Sequence, residues 1–299
     1  MAVVHCEKFR VRYYECDAYG HLNNINYLRW MQEAAFAASA AVGYDYTRYE
    51  GIGHWWLVRE TDIGYLAPLK YGDEVALKTW VMDWRRFHSR RAYEFTNTQT
   101  GQLAARAVTD WVYVDSKTLR PAAMPKEMLL AFLPEGTPEK EGPRERFPSP
   151  PPPPPNVFSI RRQVGWRDVD MMWHVNNAMY LAYVEDVGIQ VCATHGWPMQ
   201  RMMEEGFGTV ARQHRIEYRR PARLGDELEI ATWYSDAHHT SALRHYTIRR
   251  PSDGSLLAQA RTRWVWVDLK TGRPIRIPEH FLDEFADNLA LDPEGLEDP

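Results

Sequence analysis

Two stretches of the chain carry the same set of reactive side chains, Asp17-Ala18-Tyr19-Gly20-His21-Leu22-Asn23-Asn24-Ile25-Asn26-Tyr27 and Asp170-Met171-Met172-Trp173-His174-Val175-Asn176-Asn177-Ala178-Met179-Tyr180. In each, an Asp is followed four residues later by a His, then by two Asn and a Tyr, and an apolar helical pattern begins at once. A carboxylate can take a proton from water or attack a carbonyl carbon, and an imidazole moves protons near neutral pH. The start of a helix adds aligned N–H groups and a partial positive charge. Together these suit acid/base or nucleophilic chemistry on a polarised carbonyl, with Asp17, His21, Asp170 and His174 as the candidate groups.

Each residue also has a structural reading. An Asp just before a helix caps turns, Asn23 or Asn24 sits where an N-cap belongs, and Tyr27 and Tyr180, one turn into the helix, suit packing. An Asp and a His four apart with no third ligand fall short of a zinc or iron site. Cys16 beside Asp17 has Val169 as its counterpart, so a thiol nucleophile could serve one half at most. Gly51-Ile52-Gly53 lacks the third glycine of a dinucleotide loop.

The elements that must position these groups follow from periodicity. Lys8 to Tyr14 alternates as a strand with one buried face. Ile25 to Val42 repeats apolar residues at helical spacing, with Phe36 among them, and ends before Gly43; it reads as a long, almost wholly buried helix. After a polar connection, strands are expected at Trp55 to Leu66, Glu74 to Trp84, Ser89 to Thr98 and Leu103 to Val114. A short amphipathic helix is expected near Pro125 to Phe132. One long helix can be covered by such strands if they form a curved antiparallel sheet around it.

The same register returns without gaps at an offset of 153 residues: Gly43 with Gly196, Pro68 with Pro221, Trp80 with Trp233, Trp111 with Trp264 and Pro125 with Pro278. This is an internal duplication, and two units that cannot cover their own sheet edges suggest a pseudo-dimer within one chain. Residues 1–132 form one expected domain and 158–299, with a polar C-terminal tail, the other. Between them, 133–157 is an expected linker, with a charged run from Glu135 to Arg146 and the proline run Pro150 to Pro155 as a stiff spacer reaching roughly 20 Å.

Composition bounds the function. Hydrophobic residues make up 44% and charged residues 25%, the balance of a globular protein, while 12 Trp and 16 Tyr supply aromatic surface for a core or an acyl pocket. A net charge of −4 gives no global basic field for nucleic acid or an anionic membrane. Three irregularly placed cysteines, the lack of a signal-peptide pattern and the lack of any long apolar run lead to an expected cytoplasmic protein.

The stretch from Arg12 to Tyr27 resembles the signature of hot-dog-fold thioesterases of the 4-hydroxybenzoyl-CoA type, and the tandem arrangement is similar to that of acyl-ACP thioesterases. The resemblance spans roughly residues 7 to 132 and 160 to 288. It implies an α+β fold of two tandem hot-dog domains and hydrolysis of acyl thioesters on coenzyme A or acyl carrier protein, with either carrier entering as part of the substrate and no resident cofactor. It also implies a motif Asp as nucleophile or general base, Asp17 or Asp170, and a backbone N–H at the helix start as oxyanion donor, Asn24 or Asn177. Plant acyl-ACP enzymes place an Asn two residues after the Asp, where this chain has Tyr19 and Met172. Gly20, which lets backbone approach a ligand, favours Asp17 over Asp170, whose loop holds Trp173.

Arg85, Arg86, Arg90 and Arg91, with His88, are the candidates to meet phosphates of coenzyme A or an acidic carrier protein; Arg212, Arg215, Arg219, Arg220 and Arg223 are a second set. Two other functions fit the same motif: hydration or dehydration of enoyl thioesters, and binding of acyl-CoA without catalysis.

Overall fold

A computed structural model describes residues 2–136 and 145–290. The chain divides into two compact units, Met1–Glu145 and Arg146–Pro299.

The first unit begins with β1 (His5–Arg10), followed by a 3-10 turn at Tyr13–Glu15 and the long helix α1 (Asn24–Ala41). A short α2 (Tyr46–Ile52) leads into β2 (His54–Tyr65), β3 (Glu74–Trp84), β4 (His88–Asn97) and β5 (Leu103–Asp115), and α3 (Lys126–Phe132) closes the unit. The five strands lie in the order β1-β3-β4-β5-β2, all neighbours antiparallel. The second unit repeats this as β6 (Phe158–Gln163), α4 (Asn177–Thr194), α5 (Met199–Glu204), β7 (Phe207–Tyr218), β8 (Glu227–His238), β9 (Ser241–Arg250), β10 (Ser255–Asp268) and α6 (Glu279–Glu284). Its order is β6-β8-β9-β10-β7, again antiparallel. Each unit is a hot-dog: one long helix laid against a five-stranded antiparallel sheet.

The helix is held by its buried face. In α1, Tyr27, Leu28, Trp30, Met31, Ala34, Ala35 and Ala38 are buried, Trp30 stacks on Phe9 of β1 at 4.8 Å, and Tyr27 meets Tyr65 and Phe95 at 5.1 Å each. Each large apolar side chain so buried contributes about 1.5–3 kcal/mol. The opposite face is open. Phe36, expected in the core, is 53% exposed, so the helix is half-buried rather than enclosed. The aromatic residues of the first unit gather beyond the helix end, where Tyr44, Tyr49, Tyr113, Met128 and Phe132 form a core with Trp55, Trp56 and Trp84 against it.

Two local expectations are corrected. The first strand stops at Arg10, because its partner β3 starts at Glu74 and offers no ladder beyond; Tyr13 and Tyr14 then lie in a turn and are exposed. The polar connections after each long helix hold α2 and α5. In α2, Asp45 caps Arg48 N–H at 2.8 Å and Gly53 ends the helix in the left-handed region. The proline run carries no helix or strand, and Arg146 and Phe147 before it dock on Arg215 of β7. Pro138, Gly142, Pro143, much of the charged run and the polar tail at 291–299 lie outside the described residues.

Candidate active site

The turn before α1 is built by its own backbone. Cys16 bridges Leu22, Asp17 N–H donates to His21 O at 2.8 Å, and Gly20 N–H donates to Asp17 O at 3.0 Å. Oδ1 of Asp17 accepts from Tyr19 N–H at 2.9 Å and from His21 N–H at 3.0 Å. The structural role of the Asp is therefore real: one carboxylate oxygen shapes the loop. Asn23 is the N-cap, with Oδ1 accepting from Ile25 N–H at 2.9 Å and its carbonyl accepting from Asn26 N–H at 3.0 Å.

The second unit repeats the turn. Asp170 Oδ1 accepts from Met172 N–H at 2.9 Å, and Asn176 caps α4 by accepting from Ala178 N–H at 3.0 Å. Here Asn176 also donates from Nδ2 to Oδ2 of Asp170 at 3.3 Å, tying the carboxylate to the helix start. Among the described residues, neither the N–H of Asn24 nor that of Asn177, the first residue of each helix, donates to a protein acceptor. A helix leaves such N–H groups over, and they are the natural donors to an oxyanion.

Burial shapes the electrostatics of the second motif. Burial raises the Asp170 carboxyl above its ordinary value, although hydrogen bonds from Met172 and Asn176 and the charge of His174 pull it down. Burial, and after it the positive charge of Arg223, lowers the His174 imidazole; Asp170 opposes both. In the first unit it is the His21 backbone N–H, not its imidazole, that is hydrogen-bonded to the Asp17 carboxylate. Tyr27 and Tyr180 are packing residues: Tyr180 accepts Ala222 N–H on its hydroxyl at 3.1 Å, and burial pushes that hydroxyl up to about 12.

Gly20 also answers a backbone requirement. A Cβ there would meet nothing within 4 Å, so space is not the reason for a glycine; its φ of +76° is. Trp173 occupies the same place at φ +60°. The loop has one conformation in both halves.

The four expected phosphate-binding arginines do not converge. Asp83 takes Arg90 through Nε at 2.8 Å and lies 3.9 Å from Arg85 Nε. Arg91, the next residue on β4, points to the other face of the strand and is buried, its Nη1 3.4 Å from Thr79 Oγ1 and its guanidinium 5.5 Å from the Phe132 ring. Burial takes Arg91 out of reach of a dissolved phosphate. Arg86 is exposed beside Phe87.

One positioning pair escaped the sequence reading. Glu15 is buried; its carboxylate accepts from Arg12 N–H at 2.8 Å and Trp30 Nε1–H at 3.2 Å, and its carbonyl accepts from Asn23 N–H and Asn26 Nδ2, both at 2.9 Å. It pins the motif loop to α1. Asp168 stands at the same offset, takes Gly165 N–H at 2.8 Å, and offers its carbonyl to Asn176 N–H at 2.8 Å. Two acids at matching positions of the repeat, two residues before each motif Asp, were the available signal.

The fold and these loops define a tandem double hot-dog protein with a carboxylate at the start of each central helix. The family description "Thioesterase-like superfamily" matches residues 11–132 and 164–285, two spans displaced by 164 minus 11, or 153, residues. The chain belongs to this superfamily. It is 31% identical over 129 residues to the acyl-CoA thioester hydrolase YbgC of Escherichia coli, covering 43% of this chain and 96% of that protein. Over 273 residues it is 24% identical to the chloroplastic acyl-(acyl-carrier-protein) hydrolase FATB2 of Cuphea viscosissima, covering 86% of this chain but only 62% of the relative. Among solved structures it is similar to the 12:0-ACP thioesterase of Umbellularia californica, with a TM-score of 0.68, 19% identity and coverage of 87% of this chain and 93% of the other. An acyl-ACP thioesterase of Bacteroides thetaiotaomicron gives a TM-score of 0.67 at 16% identity, over 87% and 97%. At such identities these two likenesses concern the fold.

Proposed function

We propose that this chain hydrolyses acyl thioesters carried on coenzyme A or acyl carrier protein, with the motif aspartates as its working carboxylates. The observation that carries the reading is the placement of Asp170 beside the start of α4, through Asn176, next to the uncommitted N–H of Asn177. The names of the bacterial and plant relatives support the substrate class.

The chemistry follows from those groups. Asp17 or Asp170 takes a proton from water as the water oxygen attacks the thioester carbon, or attacks that carbon itself to give an anhydride that water then opens. Negative charge gathering on the carbonyl oxygen meets the N–H of Asn24 or Asn177 and the positive end of the helix. Collapse breaks the carbon–sulfur bond, the thiolate takes up a proton, and a free acid and a thiol leave. His174, whose imidazole burial and then the charge of Arg223 lower, and His21 at the matching position are the groups proposed to orient the carboxylate or the attacking water. No resident cofactor is needed. Three unpaired cysteines suit a reducing compartment such as the cytoplasm, and among the described residues no helix is long and apolar enough to cross a membrane.

A panel of acyl-CoA and acyl-ACP substrates, followed by thiol release, tests the proposal. Thiol release above the uncatalysed rate is the expected result. Loss of the enoyl chromophore of crotonyl-CoA without thiol would point to a hydratase, and tight binding without turnover to a carrier; either would overturn the hydrolase.

A further inference from the structure

A cleft of about 420 Å³ opens in the second unit, lined by Arg220, Pro221, Arg223, Asp226 and Arg250. Three arginines and one carboxylate line it, and their commitments differ. Arg250 is fixed: Nε donates to Asp226 Oδ2 at 3.0 Å, Nη1 to Asp253 Oδ2 at 3.0 Å and Nη2 to the Pro221 carbonyl at 2.8 Å. It forms a rigid wall. Arg220 donates from Nη1 to the Ser255 hydroxyl at 2.9 Å, and Arg223 uses its backbone N–H on Asp226 at 2.8 Å. Among the described residues no carboxylate pairs with the guanidinium of Arg220 or Arg223. Setting Asp226 and Asp253 against the three arginines leaves a net charge of +1, and it resides on those two side chains.

The fold does not require these cations. The first unit builds the same turn with the same acid, Lys70 N–H donating to Asp73 Oδ2 at 2.8 Å. At the offset of 153, however, it has Ala67, Lys70 and Asn97 in place of Arg220, Arg223 and Arg250. Asp226 is thus part of the shared scaffold, whereas the arginine set belongs to the second unit.

The cleft also adjoins the motif loop. Arg223 pairs with His174 in an isolated antiparallel bridge, and Val175 N–H donates to the Ala222 carbonyl at 2.9 Å. Its charge reaches the imidazole, lowering the His174 value. A guanidinium is a planar fork of donors that matches phosphate oxygens and stays charged at any physiological pH.

We infer that the Arg220–Arg223–Arg250 cleft binds phosphate groups of the thioester's carrier, the chemistry shared by coenzyme A and the phosphopantetheine arm of acyl carrier protein. The identity of the ligand rests on the thioester reading; the site for a phosphate ester rests on the cleft.

Calorimetric titration of the full chain with coenzyme A, 3′-dephospho-coenzyme A and 4′-phosphopantetheine tests it without turnover, so a chain that hydrolyses nothing could still bind as inferred. The variant R220Q/R223Q is expected to bind coenzyme A about tenfold or more weakly than wild type, and K70Q, altered at the matching position of the first unit, to bind as wild type does. Equal weakening for all three probes places the phosphate next to pantetheine, common to both carriers; weakening for coenzyme A alone places the 3′-phosphate there. Both side chains are exposed, and R223E alone, expected to weaken binding further, serves if the double variant unfolds. The inference is overturned if wild type binds none of the probes, if the arginine variants bind coenzyme A within twofold of wild type, or if K70Q weakens binding as much as they do.

Discussion

Asn176 reaches two ways at once: Oδ1 accepts from Ala178 N–H at 3.0 Å to cap α4, while Nδ2 donates to Oδ2 of Asp170 at 3.3 Å. One side chain therefore sets both the helix start and the carboxylate beside it. Substituting Asn176→Ala removes the cap and frees the Asp. Loss of an N-cap costs about 1 kcal/mol, seen as a lower midpoint in denaturant titration. Loss of the carboxylate tether is expected to lower kcat with less effect on KM. Asn176→Ser separates the two roles: its hydroxyl can cap, but it is too short to reach Asp170 and adds no charge beside it, so stability should return while kcat stays low.

Trp173 holds a left-handed φ of +60° in the turn where Gly20 holds +76°. A side chain in that region costs about 1–2 kcal/mol, and Trp173 is 62% exposed, in edge contact with Trp166 at 5.8 Å. Trp173→Gly is accordingly expected to raise thermal stability by about 1 kcal/mol with the loop unchanged, and Gly20→Ala to lower it by a similar amount. Paired melting curves of the two variants check this.

Glu15 ties the first motif loop to α1 through Trp30 and Arg12. Glu15→Ala leaves a buried indole N–H and a backbone N–H without acceptors, at a cost of about 1–3 kcal/mol. Glu15→Gln keeps an acceptor oxygen and should lose less. Chemical denaturation of both variants, read by tryptophan fluorescence, measures the difference.

Acid sensitivity should come from the second unit. Burial lowers His214 to about 3; for His245 burial, followed by the charge of Arg261, lowers it to about 4, against Asp236. In the unfolded chain both titrate near 6.5, so between that pH and their folded values the unfolded state binds more protons. Stability is thus full above pH 6.5 and falls as pH drops below it, by about 2 kcal/mol per histidine at pH 5. His214→Thr, which installs the residue found at Thr61 of the first unit, should reduce the loss in stability between pH 7 and pH 5 relative to wild type. Melting temperatures across that range decide it.

The repeat, the Asn caps, both long helices and the positions of the strands were open to reading because they rest on local signals: periodicity of 2 or 3.6, capping chemistry and a fixed offset. What stayed hidden depends on the third dimension. Nothing local shows that Arg90 finds Asp83 across a hairpin while Arg91, one residue on, turns inward, or that Arg250 meets Asp226 across 24 positions. The exposed face of α1 was misread because alanines pack on either a core or a surface without breaking the pattern. Asp17 was legible as a capping residue and as a catalytic candidate, and its Oδ1 contacts realise the first without using up the second.

The most direct measurement is kcat for thiol release by Asp17→Asn, Asp170→Asn and the double variant, on a thioester that the wild type turns over. If carboxylates at the helix starts carry the chemistry, the double variant, folded as judged by its melting curve, loses about 10²–10⁴-fold in kcat, and the single variants divide the activity between the halves. A folded double variant that releases thiol within twofold of the wild-type rate would contradict it.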